Sequence, residues 1–287
     1  EDILSLFGTV KQEDIKQMPL LIEKVLDSNN TDSLDDFFSS PIETILEKLV
    51  QDTITLEFGE FSAFQLSSSK LKNNIYLPKY YDPTITDILN RLGNNCQLLS
   101  VQELIDSNVI MISTGDEIGK MAYGTGDIPF VRTSDFSNWE IKSDTKQGVS
   151  EEIYRQYAAK EDVRALDILL VRDGTYLVGS SCIITDADTK MLYCGGLIKI
   201  RVCNLDVVDP YCLLGLLNSY IVKRQIRTKQ FTRDVIDTLG QRFKEVIIPI
   251  PKEVRVKMEI SRRVQAIVHN RIDARDTIRK LSKELGE

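Results

Sequence analysis

The segment Ile247-Ile248-Pro249-Ile250-Pro251 stands shortly before a run of regularly spaced apolar residues that continues to the end of the chain. The two prolines separate a short predicted strand, residues 246–248, from a long predicted helix. The apolar positions of that helix alternate in steps of four and three, with Arg271 as the one charged member: Ile260, Val264, Ile267, Arg271, Ala274, Ile278, Leu281 and Leu285. A heptad seam of this length predicts that residues 252–287 form a helix that pairs with another helix in a coiled coil, with Arg271 able to set its register. A lone amphipathic helix docked on its own domain can show the same period by chance.

Short strand-like runs and turns precede this helix from about residue 75. The pattern predicts strands at residues 128–131, 168–172, 177–185 and 197–203, and helices at residues 150–161 and from Asp209-Pro210 through Ile221. We therefore expect a mixed-strand α+β domain over residues 75–250.

The first 70 residues differ in charge and in pattern. They carry 5 Lys and Arg residues against 14 Asp and Glu residues. Ser40-Pro41-Ile42-Glu43 is a capping box that predicts the start of a helix, and residues 53–66 favour a hairpin. Residues 1–70 are therefore expected to form a small, acidic, mainly helical segment.

Composition excludes several classes of protein. Hydrophobic residues make up 42% of the 287 residues and charged residues 28%, which is typical of a soluble globular chain. No apolar run approaches the roughly 18 residues of a membrane span. The five cysteines form no Cys-x-x-Cys pair, which favours a reduced, intracellular protein without a zinc site. The amino terminus lacks the basic start of a signal peptide, and the missing Met favours a trimmed or excised fragment.

The common catalytic signatures are missing from the sequence. The chain has one histidine, His269, on the polar side of the long helix, and no Gly-x-Ser-x-Gly elbow. Asp135, Glu140 and Lys142 match the acidic pair plus lysine of metal-dependent nucleases, with a shorter separation between the acids than that motif normally uses. A nuclease fragment therefore stays as an alternative, although a solvated loop explains the trio more simply.

A basic segment near the carboxyl end carries most of the functional signal. Residues 201–287 hold 18 basic against 11 acidic residues, although the whole chain has a net charge of −7. Residues 221–233 contain no acid and five cations: Lys223, Arg224, Arg227, Lys229 and Arg233. Cations that neutralise phosphates, interleaved with Gln and Thr that can read base edges, are the composition of a DNA-contacting surface. The alternative is a solvated basic face that answers a helix dipole.

Two further segments are candidates for contacts with DNA. The glycine-rich residues 113–136 include Lys120, Arg132, Thr133 and Ser134, which are suited to base reading or orientation. The turn at residues 172–176 presents Arg172 and Tyr176 between two strand-like runs, and it can also be a simple turn.

Four motifs in fixed order resemble the target recognition domain of the DNA specificity subunits of type I restriction–modification systems. They are Gly126-Asp127-Ile128-Pro129-Phe130-Val131 with Asp135, Asp167-Ile168-Leu169-Leu170-Val171-Arg172-Asp173-Gly174, the helix of residues 210–226, and Ile247-Ile248-Pro249-Ile250-Pro251 with Met258-Glu259-Ile260. The resemblance covers about residues 76–287. Complete members have two recognition domains and two spacer helices, whereas this chain has one of each and no internal repeat. It is thus like a half-subunit, or like the recognition end of a fused adenine DNA methyltransferase or restriction enzyme.

The resemblance implies a function without catalysis in this chain. The expected role is recognition of double-stranded DNA that directs a methyltransferase and restriction complex to its target, in the prokaryotic cytoplasm, for DNA methylation and phage defence. S-adenosylmethionine would be bound by a partner subunit or a fused domain, and no metal is expected here. The partners implied are DNA, a methyltransferase subunit, restriction subunits and a second copy through residues 252–287. A protein-interaction adaptor acting through the heptad helix is the other alternative.

Overall fold

The computed structural model describes residues 56–58, 61–64, 66, 68–72, 74–136, 139–142, 145–174, 176–233 and 236–285. The chain divides into two compact units, Glu1–Pro83 and Thr84–Glu287. In the first unit, strands β1 (Leu56–Phe58) and β2 (Phe61–Ala63) pair antiparallel, which is the predicted hairpin. The expected helices of residues 1–55, including the one at Ser40, lie outside the described residues.

The second unit is built on a central antiparallel sheet of four strands. Its order is β4 (Ile110–Thr114), β11 (Leu197–Val202), β7 (Ile168–Val171) and β9 (Ser181–Ile183). All four residues of β7 are buried, which explains their continuous apolar run. Because successive side chains of a strand point to opposite faces, Ile168 and Leu170 enter one core while Leu169 and Val171 enter another.

Helices cover one face of this sheet. They are α1 (Pro83–Leu92), α2 (Val101–Asp106), α4 (Pro210–Leu217), α5 (Tyr220–Lys229) and the long α6 (Val254–Glu284). Their apolar residues form the larger core, together with Phe243 and Ile248. The mixed helix-and-strand architecture with a long final helix confirms the predicted fold class.

The second core lies on the opposite face, beside a smaller three-stranded sheet. In that sheet β10 (Leu192–Tyr193) runs parallel to β5 (Ile128–Val131), and β6 (Gly148–Val149) runs antiparallel to β5. Helix α3 (Glu151–Glu161) packs against β10. The predicted strand at residues 128–131 and the predicted helix at residues 150–161 are confirmed.

The segment predicted as one late helix is two helices. Asn218 ends α4, because its side-chain amide donates to the carbonyl of Leu214 and to the hydroxyl of Ser181, both at 2.8 Å. Ser219 then has an extended backbone before α5 begins. After α5, a hairpin that the sequence pattern did not predict joins β12 (Phe231–Arg233) to β13 (Ile236–Thr238), and β13 pairs with β8 (Asp173–Gly174).

The strand predicted to end at residue 248 continues through both prolines. Strand β14 (Ile247–Pro251) pairs antiparallel with β3 (Cys96–Ser100) in a sheet of two strands. A strand with one neighbour needs the N–H of only every second residue, and Pro249 and Pro251 share the other parity. The separation of strand from helix by these prolines was therefore predicted wrongly.

None of the helices in the described part of the chain combines the length and the apolarity needed to cross a membrane.

Candidate nucleic-acid interface

The loop that contains Arg132, Thr133 and Ser134 meets the chain that follows β7 at Gly196. The carbonyl of Gly196 accepts from the backbone N–H groups of Arg172 and Asp173, at 2.9 and 3.1 Å. A Cβ at position 196 would lie 2.9 Å from the methyl group of Thr133. Glycine at this position therefore allows two of the three segments singled out from the sequence to lie side by side.

The third segment joins them through helix α5 and the hairpin that follows it. The ammonium of Lys223 donates to the carbonyl of Gly179, and the side chain of Gln230 donates to the carbonyl of Val178 at 3.4 Å. Gly179 has a φ of +82°, and a Cβ there would lie 2.7 Å from Ile226. The chain that follows β7 thus contacts both of the other segments, and the three together make up one candidate surface.

Several cations and one aromatic ring are exposed on this surface. Lys120, Arg132 and Arg227 are exposed, and the ring of Tyr176 is 94% exposed. The guanidinium carbon of Arg132 lies 5.6 Å from the ring centroid of Tyr123. The backbone N–H of Arg132 donates to Asp135 at 2.9 Å, so the buried carboxylate of Asp135 fixes the start of this loop. These side chains are placed to contact a polyanion.

Thr133 and Ser134 are half-buried on the same loop. They lie on a short 3-10 turn, Thr133–Asp135. The carbonyl of Ser134 accepts from the ammonium of Lys142 at 2.6 Å. The loop is thereby fixed on both sides of the turn.

Three of the predicted phosphate-binding cations have partners inside the protein. Burial lowers the pKa of Lys223 to about 8, with repulsion from Arg227 as the smaller cause. Lys229 forms an ion pair with Glu245 at 3.2 Å, and its side chain is 12% exposed. Arg224 donates to the hydroxyls of Thr84 and of Tyr220. Arg233 lies in β12, and its side chain is outside the described residues.

The neutral polar residues of the basic segment serve the fold. The amide of Gln225 is buried and makes two bonds of 2.8 Å to the backbone of Ile247, one donated and one accepted. Thr228 is buried and donates to the carbonyl of Gln225. Thr232 donates to Asp237 at 2.7 Å. The expectation that such side chains read base edges does not fit Gln225 or Thr228, because neither is accessible.

Sequence reasoning missed the 3-10 turn Gly240–Glu245, which lies beside the same surface. Gln241 is exposed, Lys244 is half-buried, and both line a cavity together with Arg172. Arg242 stacks over the ring of Phe231 at 3.8 Å and donates to the carbonyls of Lys229 and Thr238. The sequence feature that could have indicated this turn is the pair of basic residues, Arg242 and Lys244, on either side of Phe243.

The three residues of the nuclease alternative are each engaged by a different partner. Glu140 forms an ion pair of 2.9 Å with Arg271, Asp135 accepts from the backbone of Arg132, and Lys142 donates to Ser134. Within the described ranges, no group of three His, Cys, Asp or Glu side chains is placed to hold a metal ion. The geometry gives metal-dependent cleavage no support.

Helix α6 uses two faces. Val264 and Val268 are buried against the domain, where Gly215 of α4 allows close approach: a Cβ there would lie 2.9 Å from Val264 and 3.0 Å from Ile260. The other seam residues are exposed, namely Ile267 (44%), Ala274, Ile278 (59%), Leu281 (49%) and Leu285 (84%). Of the residues expected to pair with another helix, Ile260 and Val264 therefore pack within their own domain. Arg271 also faces its own domain, through Glu140.

Comparison with known proteins gives matches in structure only. No family model matches the chain, and no curated protein matches its sequence. One solved structure that it resembles is the S subunit of a type I restriction–modification system from M. genitalium, with a TM-score of 0.47 and 12% identity over 67% of this chain and 43% of that one.

Two further solved structures are similar to the chain. One comes from work on the assembly and conformational transition of the type I R-M system, with a TM-score of 0.41, 14% identity and coverage of 71% and 50%. The other is the HsdS subunit from Thermoanaerobacter tengcongensis, with a TM-score of 0.39, 16% identity and coverage of 70% and 47%. The chain spans half or less of the length of each of these proteins. Two of these three structures are those of S subunits.

Proposed function

We propose that residues 84–285 bind double-stranded DNA and recognise a target sequence, without catalysing a reaction themselves. The observation that carries the proposal is the convergence of three separate segments on one surface. Residues 120–134, 172–179 and 223–238 are distant in sequence, and glycines at positions 179 and 196 permit their contact. Exposed cations with an exposed aromatic ring, on loops held by a rigid sheet, suit phosphate contacts and groove reading.

The roles within this surface follow from exposure. Lys120, Arg132 and Arg227 are accessible and are assigned to contact DNA directly. Tyr176 stands at the tip of its turn and is assigned to the groove. Lys223, Arg224 and Lys229 are assigned to hold the basic segment in place and to add to its positive potential, because their charged groups already have protein partners.

Association with a methyltransferase, with restriction subunits or with a second copy is assigned to the exposed seam of α6. The seam residues Ile278 and Leu281 are apolar and exposed on this helix of 31 residues, and Leu285, directly after its last residue Glu284, is exposed as well. Apolar side chains at heptad spacing bury well against a second helix. S-adenosylmethionine and any methyl transfer then belong to the partner, and the setting is that of restriction–modification in the prokaryotic cytoplasm.

The test is binding of the purified chain to random duplex DNA at about 50 and 200 mM salt. A protein that neutralises several phosphates loses affinity steeply as salt rises, so we expect strong binding at the lower concentration and a large loss at the higher one. Equal, weak binding at both concentrations would remove DNA recognition as the function of this chain.

The second candidate function, a protein-interaction adaptor, is favoured by the same exposed seam. It predicts a stable complex through α6 that is unaffected when the cations of the interface are neutralised. DNA binding that depends on those cations would decide against it.

A further inference from the structure

A small cavity of about 230 Å³ lies next to the candidate interface. Its apolar lining includes Ile112, Ile198 and Phe243, and its polar lining includes Arg172, Gln241 and Lys244. No carboxylate lines it. Sites for cofactors and drug-sized ligands usually measure about 300–1,000 Å³. A cavity of this size, with two cations at its wall, suits a compact anion better than a nucleotide cofactor.

The guanidinium of Arg172 is held in one orientation by its neighbour. Its Nε and Nη2 both donate to the same oxygen of Asp173, at 2.8 and 2.7 Å. The other oxygen of Asp173 accepts from the hydroxyl of Thr238 on β13. The backbone of Arg172 is also fixed, because its N–H donates to Gly196 and its carbonyl accepts from Leu239. Five N–H groups are available on a guanidinium, and this arrangement leaves three of them for a ligand.

Lys244 supplies the second charge of the cavity. It lies on the 3-10 turn Gly240–Glu245, which is anchored by the buried ring of Phe243. Among the described residues, no side chain or carbonyl forms a hydrogen bond or ion pair with its ammonium. A guanidinium fork beside an unpaired ammonium is the combination that binds phosphate oxygens.

We propose that this cavity seats one phosphate of the DNA backbone, with Arg172 and Lys244 binding its oxygens and Asp173 acting as the positioning residue. The proposal rests on the proposed function, and it separates the residues that bind the DNA backbone from those that read bases. The sequence led us to expect that Arg172 reads bases. Its side chain is recessed, with an exposure of 29%, so we assign it to a phosphate of the DNA backbone instead. Base reading is left to the protruding residues Tyr176 and Arg132.

The effect of Asp173 on affinity tests the idea, because two accounts predict opposite signs. Removal of a carboxylate near phosphates should strengthen DNA binding if only net charge matters. If Asp173 holds the guanidinium in its binding orientation, Asp173→Ala should weaken binding about five- to tenfold at the lower salt concentration. Asp127→Ala, which removes an exposed acid from the loop before β5, is the matched control and should leave affinity equal or higher.

Two more variants keep the test decisive if Asp173→Ala disturbs the fold. Thr238→Val removes the hydroxyl that donates to Asp173 and accepts from the N–H of Gly240, and it leaves the contact between Asp173 and Arg172 intact, so it should weaken DNA binding less than Asp173→Ala does. Lys244→Gln changes no internal contact and should lower the log–log salt slope by about one. An unchanged slope in Lys244→Gln, or tighter binding in Asp173→Ala, would overturn the phosphate seat.

A scan of single methylphosphonates identifies the source of the anion. A short duplex selected from a random library by the parent protein is rebuilt with one neutral phosphonate at each position in turn. At one position the phosphonate should lower affinity clearly more in the parent than in Lys244→Gln. If no position distinguishes the two proteins, and 7-deazaguanine substitution lowers the affinity of the parent but not of Arg172→Gln, Arg172 reads a base, which would overturn the seat while DNA recognition stands.

The final experiment measures how much bound DNA is displaced by inorganic phosphate and by chloride at equal ionic strength. Displacement of DNA by chloride and phosphate to equal extents supports a seat for the DNA backbone. Selective displacement by millimolar phosphate in the parent but not in Arg172→Gln would mean a site for the free anion and overturn the proposal. No DNA binding at all would overturn both the seat and the proposed function.

Discussion

Whether a polar residue of the basic segment serves DNA or the fold depends on its accessibility. Residues 221–233 hold cations and amides in a pattern typical of DNA contact, and Arg227 is exposed as that pattern requires. Gln225 and Thr228 have the same chemistry but point into the core. Composition cannot separate these cases, because the helical phase relative to the core is set by packing partners distant in sequence. Gly196 and Gly179, which bring the segments together, carry no chemical signal either.

Gln225 should therefore matter for stability and little for recognition. Replacement by Leu leaves both the N–H and the carbonyl of Ile247 without their partner, at a cost of about 1–3 kcal/mol for each buried group. Urea denaturation should show a lower free energy of unfolding. The control Arg227→Gln should leave stability unchanged and weaken DNA binding, and the reverse pattern would contradict the assignment of both residues.

Glu161 makes stability depend on pH in an unusual direction. Its buried carboxylate accepts from the backbone N–H groups of Tyr193 and Asp116, and burial raises its pKa from the ordinary 4.5 to about 7. Because the pKa is higher in the folded state, protonation of Glu161 stabilises the fold. This contribution to the free energy of unfolding is complete below pH 4.5 and is lost as the pH rises to about 7. We expect a loss of roughly 2–3 kcal/mol over that window.

The opposite sign is expected from Asp162, whose pKa falls to about 2 through hydrogen bonds from Arg164 and Arg201. Its contribution is present above pH 3.8 and is lost as pH falls to about 2, so the two windows do not overlap. Denaturation midpoints of the parent and of Glu161→Gln between pH 4 and 8 test the assignment. A variant that keeps the full decline between pH 4.5 and 7 would show that another group causes it.

Among the elements, helix α6 shows that a heptad pattern predicts a helix but not the surface against which its apolar residues pack. The prediction of a long final helix is confirmed, but the same seam serves two purposes. Its first half packs against α4, and its second half exposes Ile278, Leu281 and Leu285. The period of the seam is compatible with either use. Similarly, the predicted strand of residues 246–248 was not extended through Pro249 and Pro251, although an edge strand tolerates prolines at alternate positions.

The attachment of α6 to the domain should depend on Arg275. Its side chain is 5% exposed and pairs with Asp188 at 3.2 Å, and it also donates to the carbonyl of Ile141. Replacement by Ala leaves the carboxylate of Asp188 poorly compensated and should destabilise the fold by about 3–5 kcal/mol. Arg263→Ala removes an exposed pair with Glu259 on the same helix and should change little. Equal losses of stability in the two variants would show that the buried pair of Arg275 with Asp188 does not hold α6 to the domain.

The exposed seam should govern association without affecting the fold. A double substitution of Ile278 and Leu281 by Glu places charges where a second helix would bury apolar surface, so the proposed association through α6 should be lost. The thermal midpoint of the chain should be unchanged, as measured by circular dichroism beside sedimentation equilibrium. Unaltered assembly would mean that the partner binds elsewhere; Val264→Asp, a buried control, should instead unfold the chain.

At the scale of the whole molecule, the charge of the chain is divided in a way that its average hides. The net charge of −7 argues against a polyanionic partner, but residues 201–287 carry seven more basic than acidic residues. The order of strands, helices and motifs along residues 128–285 was largely predictable, because each depends on local pattern. The assembly of the interface was not, since it depends on contacts between residues 133 and 196, 179 and 223, and 174 and 237.

A matched pair of triple variants tests whether these segments form one DNA-binding surface. Lys120, Arg132 and Arg227 are changed together to Gln on the interface, and the exposed Arg255, Arg263 and Lys280 are changed to Gln on α6. Both sets remove three positive charges. Affinity for duplex DNA is then measured between about 50 and 200 mM salt. We expect the first set to lower the log–log salt slope by up to about three and to abolish tight binding, and the second set to leave both nearly unchanged. Equal losses in the two sets, or an unchanged slope in the first, would contradict this expectation.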